Sequence, residues 1–287
     1  MKRKILPLFA VLAACFQPNS PLETIGILPK ELSENSAAEM IGTTLWTVQD
    51  HGNSEEIFAL DLDGKIEKRI KIKGVKNNDW EELGSDKNGN LYIGDMGNND
   101  NTRRDLAIYK IDAAGLRKES ASISQKTSFY YPEQKSFPPK KSELFYDCEA
   151  FFEHDGNFYL FTKNRSKGFD GTTFLYKVPN QPGNFAAKKT GEFKTCGNFH
   201  GCAVTAADIS PDGKKVLLLT ADKIFLFSGF PGDDFLNGNV RQIDLKAVSQ
   251  KEGAGFLDDH TIIISEEGSK KTKLYKLSLE SESDTDE

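Results

Sequence analysis

Five stretches of the chain repeat one pattern, and a short polar or acidic residue recurs at the same offset in each: Ser36, Glu81, Glu149, Thr205 and Glu252. The pattern is an inner strand, a tight polar turn, an apolar strand ending in a polar residue, and a third strand rich in aliphatics with Tyr or Phe. SAAEMIGTTLWTVQD with EIFALDLDG is the first copy, and DWEELGSDKNGNLYIGD with LAIYKIDAAG the second. The third is DCEAFFEHDGNFYLFTKN with FLYKVP, the fourth VTAADISPDGKKVLLLTAD with KIFLFSG, and the fifth KEGAGFLDDHTIIISEEG with KLYKLS. Runs such as LYIGD, FYLFT, VLLLT and TIIIS are β-branched or aromatic and are bounded by Asn-Gly, Asp-Gly or Asp-Asp turns, so they read as strands. Helix signals are nearly absent.

Trp46, Tyr92, Tyr159, Leu218 and Ile263 occupy equivalent second-strand positions, with spacings of 46, 67, 59 and 45 residues. A period of that size, with three clear strands per copy and a fourth in the less patterned stretch that follows, marks an all-β chain folded as a β-propeller. The last copy ends at Leu279 with no room for a fourth strand, whereas ETIGIL at Glu23 to Leu28 is an unassigned strand. The expectation is therefore five blades, closed by that N-terminal strand. Six is the alternative if Ser120 to Leu144 hides a further blade, although its three prolines within eight residues suit a loop or an edge strand.

Residues 1–15 read as an address. MKRK is a basic start, ILPLFAVLAA is an apolar segment too short to span a bilayer, and Leu12-Ala13-Ala14-Cys15 resembles the bacterial lipobox, whose Cys is diacylated. Residues 16–279 then form one domain and 280–287 an acidic, disordered tail. The expected setting is the bacterial cell envelope, with a monomer lipid-anchored to a membrane, the outer membrane first, facing the periplasm or the cell surface. Loss of Lys2, Arg3 and Lys4 with the leader leaves 34 basic against 43 acidic residues, which argues against nucleic acid as a partner. Cys196 and Cys202 bracket CGNFHGC and suit a disulfide in an oxidising compartment; Cys148 reads as a buried small hydrophobe.

The first strand of each propeller blade lines the central channel, so one fixed offset contributes a ring of five residues. Three carboxylates and two hydroxyls there, Ser36, Glu81, Glu149, Thr205 and Glu252, repel one another unless protonated or neutralised, and an oxygen-only donor set points to calcium. Polar residues also gather at the second-strand ends. Among these, Arg103, Arg104 and Arg165 are candidates to face an anionic ligand, and Asp50 and Asp95, with Glu82, are the weak candidates for a general base. Glu267 reads as an exposed turn residue.

The order Ser, Glu, Glu, Thr, Glu on the inner strands resembles that of the calcium-activated nucleotidases, the apyrase family, with DWEEL and KEGAG matching the local frame of two blades. That resemblance implies a five-bladed propeller with calcium in its channel and, for an enzyme, calcium-dependent hydrolysis of nucleotides or phosphate esters. The chain departs from it at Gln49-Asp50-His51-Gly52-Asn53, which lacks the arginine expected to meet a phosphate. A broader resemblance, over nearly all of the mature chain, is to bacterial propeller lipoproteins with DWED, YIGD-GNN, DCEAL, TGAD and a Glu-Gly segment in this order; it brings no activity with it. Two functions stay open: a calcium-binding recognition module for a glycan, peptide or envelope protein, and an apyrase-like hydrolase.

Overall fold

The apolar second strands of all five copies are covered on both faces, which is why their sequences run apolar without alternation. Their neighbours are set by a computed structural model that describes residues 20–268 and 271–279. The lipobox Cys15 and the acidic tail 280–287 lie outside the described residues. Strand β1 (Glu23–Ile27) precedes blade 1, which holds β2 (Glu39–Ile41), β3 (Thr44–Thr47), β4 (Glu56–Leu60) and β5 (Ile66–Lys73). Next come β6 (Trp80–Ser85), β7 (Leu91–Asp95), β8 (Ala107–Ile111), β9 (Ser120–Ser122) and β10 (Gln125–Tyr130). They are followed by β11 (Asp147–His154), β12 (Asn157–Lys163), β13 (Thr172–Pro179), β14 (Gly183–Ala186) and β15 (Lys188–Lys194). The last two blades supply β16 (Val204–Ile209), β17 (Lys215–Thr220), β18 (Lys223–Ser228), β19 (Asn239–Asp244), β20 (Lys251–Asp258), β21 (Thr261–Glu266) and β22 (Lys273–Ser278).

These strands form the five blades of a β-propeller. As expected, β1 is the outermost strand of the fifth blade, antiparallel to β22 with Thr24 opposite Tyr275. The stretch from Ser120 to Leu144 builds no sixth blade. It supplies β10 as the fourth strand of blade 2, and β9, which pairs in parallel with β5 on the outer edge of blade 1. In the same way β14 leaves blade 3 to extend blade 2 beside β10. Both excursions cover an outer sheet edge and tie a blade to its neighbour.

One apolar cluster fills each gap between blades, five in all. Leu217 and Leu219 of β17 pack toward blade 5, whereas Val216 and Leu218 of the same strand pack toward blade 3. The gap between blades 2 and 3 is rich in aromatics, with Tyr92 and Phe151 each edge-on to Phe158 and Tyr176 edge-on to Tyr131. At the axis the inner strands β2, β6, β11, β16 and β20 meet in that order, and β20 returns to β2. That last contact depends on glycine, because a Cβ on Gly255 would stand 2.2 Å from the Ala38 carbonyl oxygen and one on Gly253 2.5 Å from the Ala37 carbonyl carbon.

Gly255→Ala is therefore expected to cost about 1–3 kcal/mol through overpacking of the ring closure. Gly197→Ala, where the added methyl meets open space, should leave stability unchanged. Urea unfolding of the two variants beside the parent checks both.

Candidate functional site

The five ring positions share a backbone device. The pairing register slips between Trp80 and Glu82, between Cys148 and Ala150, between Val204 and Ala206, and between Lys251 and Gly253. Glu81, Glu149, Thr205 and Glu252 are thus the unpaired residues of four β-bulges. Ser36 follows the isolated bridge between Asn35 and Gln49, where the register of blade 1 also shifts before Glu39 meets Trp46. A bulge bends its strand and re-aims one side chain. Here it turns the same residue of every blade toward one end of the channel.

The ring is charged unevenly. Ser36 donates to the Trp80 carbonyl at 3.2 Å and Thr205 to the Lys251 carbonyl at 2.7 Å, each bonding the next blade round the ring. Glu149 takes Arg165 Nη2 at 2.7 Å on one oxygen and Lys163 Nζ at 3.2 Å on the other. Lys163 Nζ is also 4.0 Å from Glu252, and Arg165 Nε reaches Asp147 at 2.5 Å. Burial opposes the charge on Glu149, but Lys163 and Arg165 overcome it and hold its pKa near 2. Burial raises Glu252 to about 7 despite Lys163, and burial with the Glu149 charge raises Asp147 to about 7. Lys163 stays protonated because Glu149 and Glu252 outweigh its own desolvation.

On the side of the mouth built by blades 1 and 2, no lysine or arginine among the described residues is ion-paired to Asp50, Asp79 or Glu81. Glu81 is pushed well above its ordinary pKa by burial and by the charges of Glu149, Asp50, Asp147 and Asp79. Asp79 is raised to about 7 by burial and by the charges of Asp50 and Asp147, against the opposing charge of Arg103. Both carboxylates converge over Gly97: a Cβ there would lie 2.1 Å from Glu81 Oε1 and 2.5 Å from Asp79 Oδ2. His51 Nδ1 lies 3.4 Å from Asp50 and 3.9 Å from Asp79. Asp50, His51 and Asp79 are the group among the described residues whose ligand atoms all fall within 4.8 Å of one another. Glu267 is no exposed bystander: it is half-buried, accepts a hydrogen bond from Gln250, and is raised to about 7 by burial and Asp50.

The other sequence candidates disperse. Asp95 is fully buried and saturated, taking Asn78, the Asp79 N–H, Arg103 and Tyr109, so it has no lone pair free for base chemistry. Arg103 is spent on Asp95, Asp105 and the Gly97 carbonyl. Arg104 points away from the axis, with its guanidinium 3.6 Å over the Phe137 ring. Glu82 is buried deeper in the channel, where the charges acting on it are Glu39 and Asp208 rather than Asp50. Asp50, Glu82 and Asp95 therefore do not form one catalytic group. Cys148 is buried, and burial lifts its thiol pKa well above the ordinary value, consistent with a packing role. Cys196 and Cys202 are bonded to each other, and the loop they close places Phe199 beside Arg165 and Phe169 at the mouth.

Asp79, Asp147 and Lys163 went unassigned in the sequence. The two aspartates stand two residues before a ring glutamate, and the strand period of two puts such pairs on one side. Lys163 reads in the sequence only as one of the polar residues clustered behind the second-strand ends, since a lysine there is normally solvated.

In fold, the chain is similar to solved β-propellers. The PQQ-bound aldose sugar dehydrogenase of Streptomyces coelicolor matches with a TM-score of 0.52 at 7% identity, over 90% of this chain and 97% of that one. The β-propeller domain of Cps50 (Swd1) from Myceliophteria thermophila matches with a TM-score of 0.46 at 9% identity, over 91% of this chain and 100% of that one. Identities this low speak for the architecture alone. No family model matches the sequence, and no curated protein does.

The buried carboxyls give stability a definite pH dependence. Asp79, Asp147, Glu252 and Glu267, raised to about 7 when folded, bind a proton more tightly folded than unfolded. Their contribution is complete below about pH 4, the unfolded value, and is lost as pH rises through 7. Glu149, lowered to about 2, acts oppositely and is lost as pH falls through 2. Urea midpoints without divalent cations should therefore peak between about pH 4 and 5 and decline toward pH 8. Lys163→Met, which leaves buried carboxylates unpaired, should cost about 3–5 kcal/mol at pH 8 and clearly less at pH 5.

Proposed function

We propose that this chain is a cation-dependent recognition module of the bacterial envelope, a propeller tethered through lipid on Cys15 that binds its ligand at the acidic mouth of the channel. The observation that carries this reading is the convergence of Glu81 and Asp79 over Gly97, neither of them ion-paired to a lysine or arginine among the described residues, with Asp50 beside them. Several carboxylates that share a site without a counter-charge favour either protons or a hard cation. The donor set is mainly oxygen, which suits calcium over softer metals.

The five-residue ring as a whole fits calcium less well than the sequence suggested. Lys163 already neutralises Glu149 and Glu252, so the donors left for an ion are Asp50, Asp79 and Glu81, with the Ser36 hydroxyl next to them. Bound there, calcium would supply a positive centre able to meet hydroxyl or carboxylate oxygens of a glycan, a peptide or an envelope protein. Phe199 and Phe169 add an apolar rim. The hydrolase reading is second. Arg103 and Arg165 are already held by Asp95, Asp105, Asp147 and Glu149, so a phosphate arriving at this mouth meets carboxylates and paired cations.

Calcium that binds only the folded chain should raise stability by about 1.4 kcal/mol per tenfold increase above its dissociation constant. Asp79→Asn and Glu81→Gln should remove that dependence while leaving a cooperative melt. Melting curves with calcium and with chelator decide the point: a parent protein indifferent to chelator and free of metal by elemental analysis excludes the ion. Turnover of nucleotides or phosphate esters that requires calcium would instead favour the hydrolase. Independently, Cys15→Ser should move the protein out of the membrane fraction and abolish incorporation of labelled palmitate. A variant still membrane-bound, from a parent that takes up no label, refutes the anchor.

A further inference from the structure

At the opposite end of the channel three carboxylates from three blades gather without an ion-pair partner among the described residues. Glu39 lies on β2, Glu82 on β6 and Asp208 on β16, and all three are buried. Glu39 feels Asp208, and Glu82 feels both. None of the three forms an ion pair among the described residues, and the groups that ease their charge are the Ser85 side chain and backbone N–H groups. Asp208 accepts from the Phe256 and Ile209 N–H groups, each at 2.7 Å. Glu82 Oε1 accepts from the Leu83 N–H at 3.0 Å, but Glu82 Oε2 has no hydrogen-bond partner although the residue is only 1% exposed. An orphaned carboxylate oxygen of this kind is costly unless something arrives to meet it.

Glu39 and Asp208 form part of the wall of a cavity of about 670 Å³ that opens on this face of the disc. The rest of its lining is mixed: Tyr92, Asn180 and Gln125 offer hydrogen bonds, and on the outer wall Lys87, Lys110 and His154 are matched by Asp86, Glu153 and Asp155. The volume is that of a site for a small organic molecule rather than a lone ion. The spacing agrees, since these three carboxylates are not among the groups whose donor atoms gather within 4.8 Å, as a metal shell requires. A primary ammonium has three N–H donors at longer reach than a metal–oxygen bond, and three inward carboxylates are its complement.

We infer that this second mouth binds a small polar molecule through a primary ammonium group, which docks between Glu39 and Asp208 with Glu82 behind them. The site is separate from the proposed calcium position, which lies at the other end of the channel on Asp50, Asp79 and Glu81.

Calorimetric titration of the full chain with putrescine, glucosamine and lysine, in chelator, tests the inference. At least one amine should bind, and the neutral counterparts 1,4-butanediol, glucose and N-acetylnorleucine amide should not. Glu39→Gln and Asp208→Asn should each weaken the amine at least tenfold. Both replace a buried charge with a neutral isostere, so cooperative melting should be kept, and the neutral counterparts on the parent protein give a comparison that needs no variant. Absence of binding by all three amines at 10 mM, equal binding of a neutral counterpart, or amine binding that survives both substitutions would each overturn the assignment. Because chelator is present throughout, the outcome is independent of whether calcium binds at the far mouth.

Discussion

The ammonium of Lys163, set between Glu149 and Glu252, is what allows five inner strands to bring their carboxylates to one axis. Burying several like charges within a few ångströms is prohibitive unless they are neutralised, protonated or hydrogen-bonded. Lys163 and Arg165 neutralise the half of the mouth built by blades 3 and 5. The half built by blades 1 and 2 lacks an equivalent pair, and there burial drives Glu81 and Asp79 toward the protonated state. The asymmetry matters for function, because a site already filled by its own lysine has little to offer a cation, while its unfilled neighbour does.

The β-bulge converts a repeated strand into a repeated site. An unbroken inner strand would alternate its side chains between the two flanking blades, where the five apolar clusters lie. One extra residue per strand interrupts that alternation at a single level and leaves Glu81, Glu149, Thr205 and Glu252 free to face the channel. The apolar packing between blades is undisturbed, so the polar ring and the hydrophobic gaps are built from the same strands.

The two ends of the channel are differently made. One is a crowded mouth of acids, two basic side chains and an aromatic loop stapled by Cys196 and Cys202. At the other, three carboxylates lie at a cavity and form no ion pair among the described residues. A tunnel with an acidic group at each end favours cationic over anionic visitors at both, in keeping with the acidic composition of the mature chain.

The architecture was legible because it is repetitive. Recurrent turn dipeptides, apolar second strands and a polar offset near a constant period are local signals, and five of them in sequence leave few alternatives to a closed ring. The closing strand at Glu23–Ile27 followed from counting, since the fifth copy lacked a partner on its outer edge. The ring residues were legible for the same reason, but not their states of charge. Whether Glu149 meets an ion or Lys163 depends on where a long side chain from the end of a different strand comes to rest, and no local pattern encodes that. The same holds for Arg104, whose sequence neighbour Arg103 turns to the core while it stacks on Phe137, and for Glu82, which a one-residue slip of register assigns to a level away from Glu81. Repetition in the chain determined the blades and their axis; the packing of blades against one another alone decided which charges meet, because those distances span residues far apart in sequence.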